Sequence, residues 1–82
     1  GVARRHVVIS QDITRNPGRC EVRPAYCTGF DPHGREVVSF EPETHSSRVA
    51  GLSMASGLIY LPADADILPA GALVEFQPFC PN

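Results

Sequence analysis

Residues 46 to 62 read SSRVAGLSMASGLIYLP, and the stretch changes character halfway along. Its first half is small and polar, with apolar residues at Val49, Leu52 and Met54. Its second half, Gly57-Leu58-Ile59-Tyr60-Leu61-Pro62, is a short apolar run closed by proline. Val49 and Leu52, three apart, predict one short helix over residues 47–55. The apolar run predicts a buried strand over 57–62. Gly57 in a left-handed conformation would end the helix between them. One or two turns of helix cannot make a core, so the class of fold depends on what the strand joins.

The flanking sequence supplies more strands. Residues 4–13, RRHVVISQDI, centre on Val-Val-Ile, a β-branched run with polar flanks. The turn signal NPGR at 16–19 follows. Residues 20–30, CEVRPAYCTGF, alternate only in part, and Pro24 in their middle predicts an edge or bulged strand, split in two if the proline breaks it. DPHG at 31–34 sets Asp, Pro and Gly where a type I turn wants them, and joins that strand to REVVSFEP at 35–42. Residues 63–71 read as a loop. In ALVEFQPF, 72–79, Leu73, Glu75 and Gln77 alternate with Val74 and Phe76, a last strand with one wet face. The expected fold is mainly β: a small pseudobarrel of about six strands with one short helix. Closure would hide sheet edges that a small sheet cannot otherwise protect. Val49 and Leu52 would face inward, so that the helix plugs an open end.

Composition narrows the function. The 82 residues suffice for a single domain, 1–82, and a chain of this length buries roughly 60–65% of its unfolded surface. Apolar residues make up 43%, which suits a globular protein. No run of about 18 apolar residues is present, so no helix is expected to span a membrane. The net charge of −2 does not favour nucleic acid as a partner. All seven basic residues are arginine. The three cysteines, Cys20, Cys27 and Cys80, are odd in number and not tightly spaced, which argues against a disulfide framework and points to the cytoplasm.

Few residues suggest chemistry. His6, His33 and His45 are far apart, and Cys20 and Cys27 lack the spacing of a metal-ligand pair, so no metal site is expected. No G-x-S-x-G is present, and the carboxylate pairs Asp64/Asp66 and Glu41/Glu43 read as solvated loops. No catalytic residue is assigned. The start of the helical segment is more informative. A helix N-terminus leaves backbone N–H groups unpaired, and Ser46 or Ser47 can cap them. The same N–H groups, with the helix dipole and Arg48, make an anion site. Arg19, after the Pro-Gly turn, can project a fork of donors towards phosphate, and Arg23 four residues on would share its face in a strand. Arg4 and Arg5 read as an exposed strand entry.

These residues, in this order, resemble a known family. The chain is similar to the C-terminal domain, domain IV, of the molybdopterin molybdenumtransferases, the family of bacterial MoeA and the E domain of gephyrin. NPGR matches the family's Pro-Gly-Arg after its first strand. THSSRVAGLSMASGLIYLP matches a Ser-rich short helix, Ala-Asn-Gly, and then Leu-Ile-x-Leu-Pro. LPAGALVEFQPF matches the closing segment. The resemblance covers nearly the whole chain. It implies a β-clip-like pseudobarrel at the end of a longer, multidomain chain, with the upstream domains as partners. It also implies work as a homodimer that inserts molybdenum from molybdate into adenylylated molybdopterin, with Mg2+ as cofactor of the full enzyme and none in the isolated domain. The main catalytic groups would then lie in another domain, and this one would line a substrate cleft at the dimer interface. By position, Ser46 matches the serine that the family places at that cleft, Ser47 and Arg48 match the gephyrin-like Ser-Ser-Arg, and Arg19 matches the arginine of Pro-Gly-Arg; these are the residues the resemblance implies for substrate or anion binding, with Arg23 beside them. A second cleft arginine usually follows Pro-Gly-Arg by five positions. Pro24 stands there, with Arg23 one residue earlier, and His45 replaces the glycine before the matched serine. Two other readings stay open: a stand-alone β-barrel binding module that keeps the fold without catalysis, and a divergent subunit acting on a different nucleotide-linked cofactor.

Overall fold

The computed structural model describes residues 3–15, 18–41 and 55–80. Seven strands run in chain order: β1 (Arg5–Ile9), β2 (Ile13–Thr14), β3 (Glu21–Phe30), β4 (Glu36–Ser39), β5 (Gly57–Leu61), β6 (Ile67–Leu68) and β7 (Leu73–Pro78). Five of them close into a barrel in the order β1-β4-β3-β5-β7, while β2 and β6 form a separate two-stranded ribbon. The mainly β pseudobarrel expected from the sequence is the fold observed. The helical segment, with Val49 and Leu52, falls on 47–55, of which 47–54 lie outside the described residues; no helix occurs among the described ones.

Closure follows from the register. β7 is held on both sides, antiparallel to β1 through Val7↔Val74 and to β5 through Ile59↔Phe76. β3 is antiparallel to β5 through its first half and to β4 through its second. The parallel pair β1–β4, Val8↔Val37 and Ile9↔Val38, shuts the ring. Side chains alternate across a strand, so one residue in two points inward. Val7, Ile9, Val38, Ile59, Leu61, Val74 and Phe76 are buried and form the core with Ala25, Ile13 and Phe40. Each large side chain there contributes about 1.5–3 kcal/mol by leaving water.

Four details differ from the sequence reading. The run 4–13 is two strands, because Ser10 bonds across to the Val38 carbonyl and the Asp12 carboxylate accepts the Ala70 amide, turning the chain out of the barrel. β3 is not split at Pro24. Pro24 stands opposite Leu58, on the half of β3 that pairs with β5 alone; a residue without an N–H is tolerated there. The irregularity comes later, between Cys27 and Gly29, where Thr28 is the extra residue of a bulge. The expected loop 63–71 holds β6, paired with β2 through Ile13↔Leu68.

Gly57 also has a different role. It is not left-handed; it is the buried first residue of β5. A Cβ there would meet the Gln77 carbonyl oxygen at 2.5 Å and the Phe76 ring at 2.5 Å. Glycine is required because the Phe76 ring and the β7 backbone pack against its bare Cα. The DPHG hairpin is as expected: Gly34 N–H bonds to the Asp31 carbonyl, and Asp31 Oδ1 accepts the amides of His33 and Arg35.

Candidate functional site

The turn after β2 is fastened to the β5–β6 connection at several points. The Arg15 amide donates to the Asp66 carbonyl at 2.9 Å, and the Gly18 amide donates to the Ala63 carbonyl at 3.0 Å. Gly18 has φ 128°, a conformation that side chains disfavour, so the glycine of NPGR is fixed by backbone shape. The Arg15 side chain is 5% exposed. Its Nη1 donates to the Arg19 carbonyl at 2.9 Å and its Nη2 donates to the Pro62 carbonyl. One guanidinium thus bridges the residue that ends NPGR and the proline that ends β5. Its Nε is buried with no hydrogen-bond partner among the described residues.

Arg19 is exposed, and its side chain makes no hydrogen bond or ion pair among the described residues. Its position suits an anion-binding group, since five donors on a fixed backbone face water. Arg23 is placed differently. It is 9% exposed, and its Nε and Nη2 both reach Glu21 Oε2, at 3.1 and 3.0 Å. Its guanidinium also lies 5.7 Å from the centre of the Phe40 ring. Glu21 and Arg23 are two apart on one strand and so share a face, and the carboxylate turns the arginine into the barrel. Arg15 Nη1 approaches the other oxygen of Glu21 at 3.8 Å, so Glu21 sits between two guanidinium groups. Arg19 precedes β3, and the structure does not bring it and Arg23 together as one exposed pair. Ser46, Ser47 and Arg48 lie outside the described residues.

A second polar cluster occupies β1, β3 and β4. Arg5 Nε and Nη2 bond the two oxygens of Glu36 at 2.8 and 3.1 Å, and the guanidinium lies 5.1 Å from the centre of the Phe76 ring. Arg5 opens β1 as expected and its side chain stays 40% exposed, but it is tied down by Glu36 and lies over the ring of Phe76, its register partner. Arg4 stacks at 3.7 Å on Tyr60. The Cys27 thiol donates to Glu36 Oε2 at 2.9 Å. The bonds from Arg5, then from Cys27, hold the Glu36 carboxyl below its ordinary value. Burial, followed by the bond to Glu36, pushes the Cys27 thiol up. A thiol so placed is a poor nucleophile, and the cluster reads as a structural clasp.

The described residues contain no group of three His, Cys, Asp or Glu that could hold a metal ion. They contain no helix long and apolar enough to cross a membrane. Cys20, Cys27 and Cys80 are free and exposed. Sequence reading missed Arg15. Its one signal is a charged residue directly after the two-residue strand Ile13–Thr14 and just before a Pro-Gly turn.

Comparison with known proteins gives one clear result. A family model of the MoeA C-terminal region (domain IV) matches residues 6–79, which takes in every strand of the barrel but the first residue of β1. No curated protein matches the chain. The closed β barrel, the NPGR turn and this match agree, and the chain belongs to the MoeA C-terminal (domain IV) family, and so to molybdenum cofactor biosynthesis.

Proposed function

We propose that this domain lines the substrate cleft of a molybdenum insertase and supplies oxyanion contacts rather than the main catalytic groups. The observation that carries this reading is Arg19: an exposed guanidinium with no partner among the described residues, on a turn tied to the barrel, at the position of the family's Pro-Gly-Arg arginine. On this reading Arg19 acts with Ser46, Ser47 and Arg48 on the substrates, molybdate or the phosphate of adenylylated molybdopterin. Charge-assisted hydrogen bonds to an anion are the strong ones, and arginine offers them in a planar fork. Arg23 contributes by holding the start of β3 in place, since Glu21 and Phe40 already engage it.

The rest of the reaction belongs to upstream domains of a longer cytoplasmic chain, acting as a homodimer. Magnesium and the catalytic acids would be held there. The described residues here offer no group of three His, Cys, Asp or Glu that could hold a metal ion. The burial of Arg23 favours a second reading, a binding module that keeps the fold without the chemistry, because it removes one of the two arginines that the cleft would use.

Titration of the native polypeptide with molybdate, and separately with adenylylated molybdopterin, tests the proposal. The double variant Ser46→Ala/Arg48→Ala, and Arg19→Ala alone, should each weaken binding by roughly 1–3 kcal/mol. Affinity unchanged in both would remove the anion site. A fall of about 1 kcal/mol in stability alone would leave Ser46 only a capping role.

A further inference from the structure

We propose that Arg15 is a positioning residue for the oxyanion site, acting through the backbone of Arg19. The inference rests on the reading of Arg19 as an anion-binding group and adds the device that aims it. The observation is the bridge: one buried guanidinium donates to the carbonyl of Arg19 through Nη1 and to the carbonyl of Pro62 through Nη2.

The geometry explains why an arginine stands there. The Arg19 carbonyl belongs to a turn, outside the barrel's hydrogen-bonded ladder, since β3 begins at Glu21. The Pro62 carbonyl lies just past the end of β5. Neither carbonyl has a ladder partner, and the Pro62 carbonyl also accepts the Ala65 amide at 3.3 Å in the turn that follows β5. A planar fork of N–H groups satisfies both at once and fixes their separation. Fixing the peptide after Arg19 fixes its Cα–Cβ direction, and with it the sector of solvent that its guanidinium can reach. The Gly18 bond to the Ala63 carbonyl braces the same turn against the same β5–β6 connection. Glu21 Oε1, 3.8 Å from Nη1, offsets the charge of Arg15 without taking its place on either carbonyl.

Arg15 does not itself reach an anion in solution, because its side chain is 5% exposed. Burial of so much of a guanidinium, with no partner for Nε among the described residues, is an unfavourable way to stabilise a turn alone. A turn that must hold one exposed cation at one place gives that arrangement a purpose. Lysine cannot replace it, having a point charge and no fixed fork.

Arg15→Lys keeps the charge and can bond one of the two carbonyls, so the barrel should fold; Arg15→Met is the second variant. Nitrogen-15 relaxation on the native polypeptide reads the backbone order of Gly18 and Arg19, and titration with molybdate reads the site. In Arg15→Lys, order should fall at Gly18 and Arg19 and stay unchanged in β5 and β7. Molybdate affinity should fall roughly tenfold, the scale of one lost charge-assisted hydrogen bond. Adding Arg15→Lys to Arg19→Ala should cost no further affinity, because Arg15 acts only through Arg19. Unchanged order at Arg19 overturns the proposal whatever the affinities are. An equal loss of affinity with and without Arg19 overturns it too. If the wild type binds no molybdate, or Arg19→Ala binds as the wild type does, the anion-site reading fails, and the relaxation measurement still decides whether Arg15 positions Arg19.

Discussion

Gly57→Ala is a one-carbon test of how the barrel closes. The added Cβ would lie 2.5 Å from the Gln77 carbonyl oxygen and 2.5 and 2.6 Å from two ring carbons of Phe76. Ordinary carbon contacts are about 3.5–4.0 Å, so the ring must retreat by about 1 Å. It has little room, because Phe76 is fully buried, stands opposite Ile59 in the sheet and carries Arg5 over its face. The carbonyl contact is harder to relieve, since Gln77 lies in the β5–β7 ladder opposite Leu58. Overpacking of this kind costs about 1–3 kcal/mol, and two obstacles, one of them backbone, place it at the upper end. Alanine restricts the unfolded chain and returns about 0.5–1 kcal/mol. The net loss is about 2 kcal/mol, or a fall in Tm of about 8–16 °C for a domain of this size. Thermal melts and urea unfolding followed by circular dichroism would measure it. Gly57→Ala/Phe76→Leu should recover the share due to the ring and leave the share due to the carbonyl. A Tm equal to or above that of the wild type would refute the close approach of β5 and β7 and the reason given for glycine here.

Arg23→Met should cost about 2 kcal/mol in urea unfolding, by leaving Glu21 half-buried without its nearer partner, whereas Arg19→Ala should cost under about 0.5 kcal/mol; equal losses would mean that Arg23 is not the structural residue of the two. Glu36 titrates below its ordinary value when folded, so its contribution to stability is full above that ordinary value and is lost as pH falls through the lowered one. Unfolding free energy should therefore drop on acidification from about pH 6 to about pH 2, and Glu36→Gln should flatten that slope. Asp31, held low first by the Arg35 amide, acts in the same direction in the hairpin turn. Because burial and Glu36 push the Cys27 thiol up, its alkylation at about pH 8 should be slow and should quicken in Glu36→Gln; a slower rate in that variant would contradict the clasp.

What could be read from the chain was what local rules govern. Val7, Ile9, Val38, Ile59 and Phe76 announced strands by type and alternation, and Asp31-Pro32-His33-Gly34 announced its turn. What could not be read depends on contacts across the barrel. The glycine at 57 follows from the Phe76 ring on another strand, not from a helix end. That Arg5, a partly exposed strand entry, pairs with Glu36 over the Phe76 ring depends on residues 31 and 71 positions away in the chain. Arg23 was grouped with Arg19 on charge and spacing, although Glu21, two residues earlier on the same face, was already in the sequence to turn it inward. Arg15 carries no local sign of its role, because the Pro62 carbonyl that it bonds is 47 residues away.

The most direct test of the central claim is transplantation. Residues 6–79 would replace domain IV in a MoeA-type insertase lacking its own, with molybdenum cofactor formed in the cell as the readout. The account predicts that cofactor synthesis is restored, and that Arg19→Ala in the transplanted domain reduces it while the chimera stays folded. A chimera that folds and dimerises yet makes no cofactor would contradict the claim and leave a barrel that kept the family's fold without its function.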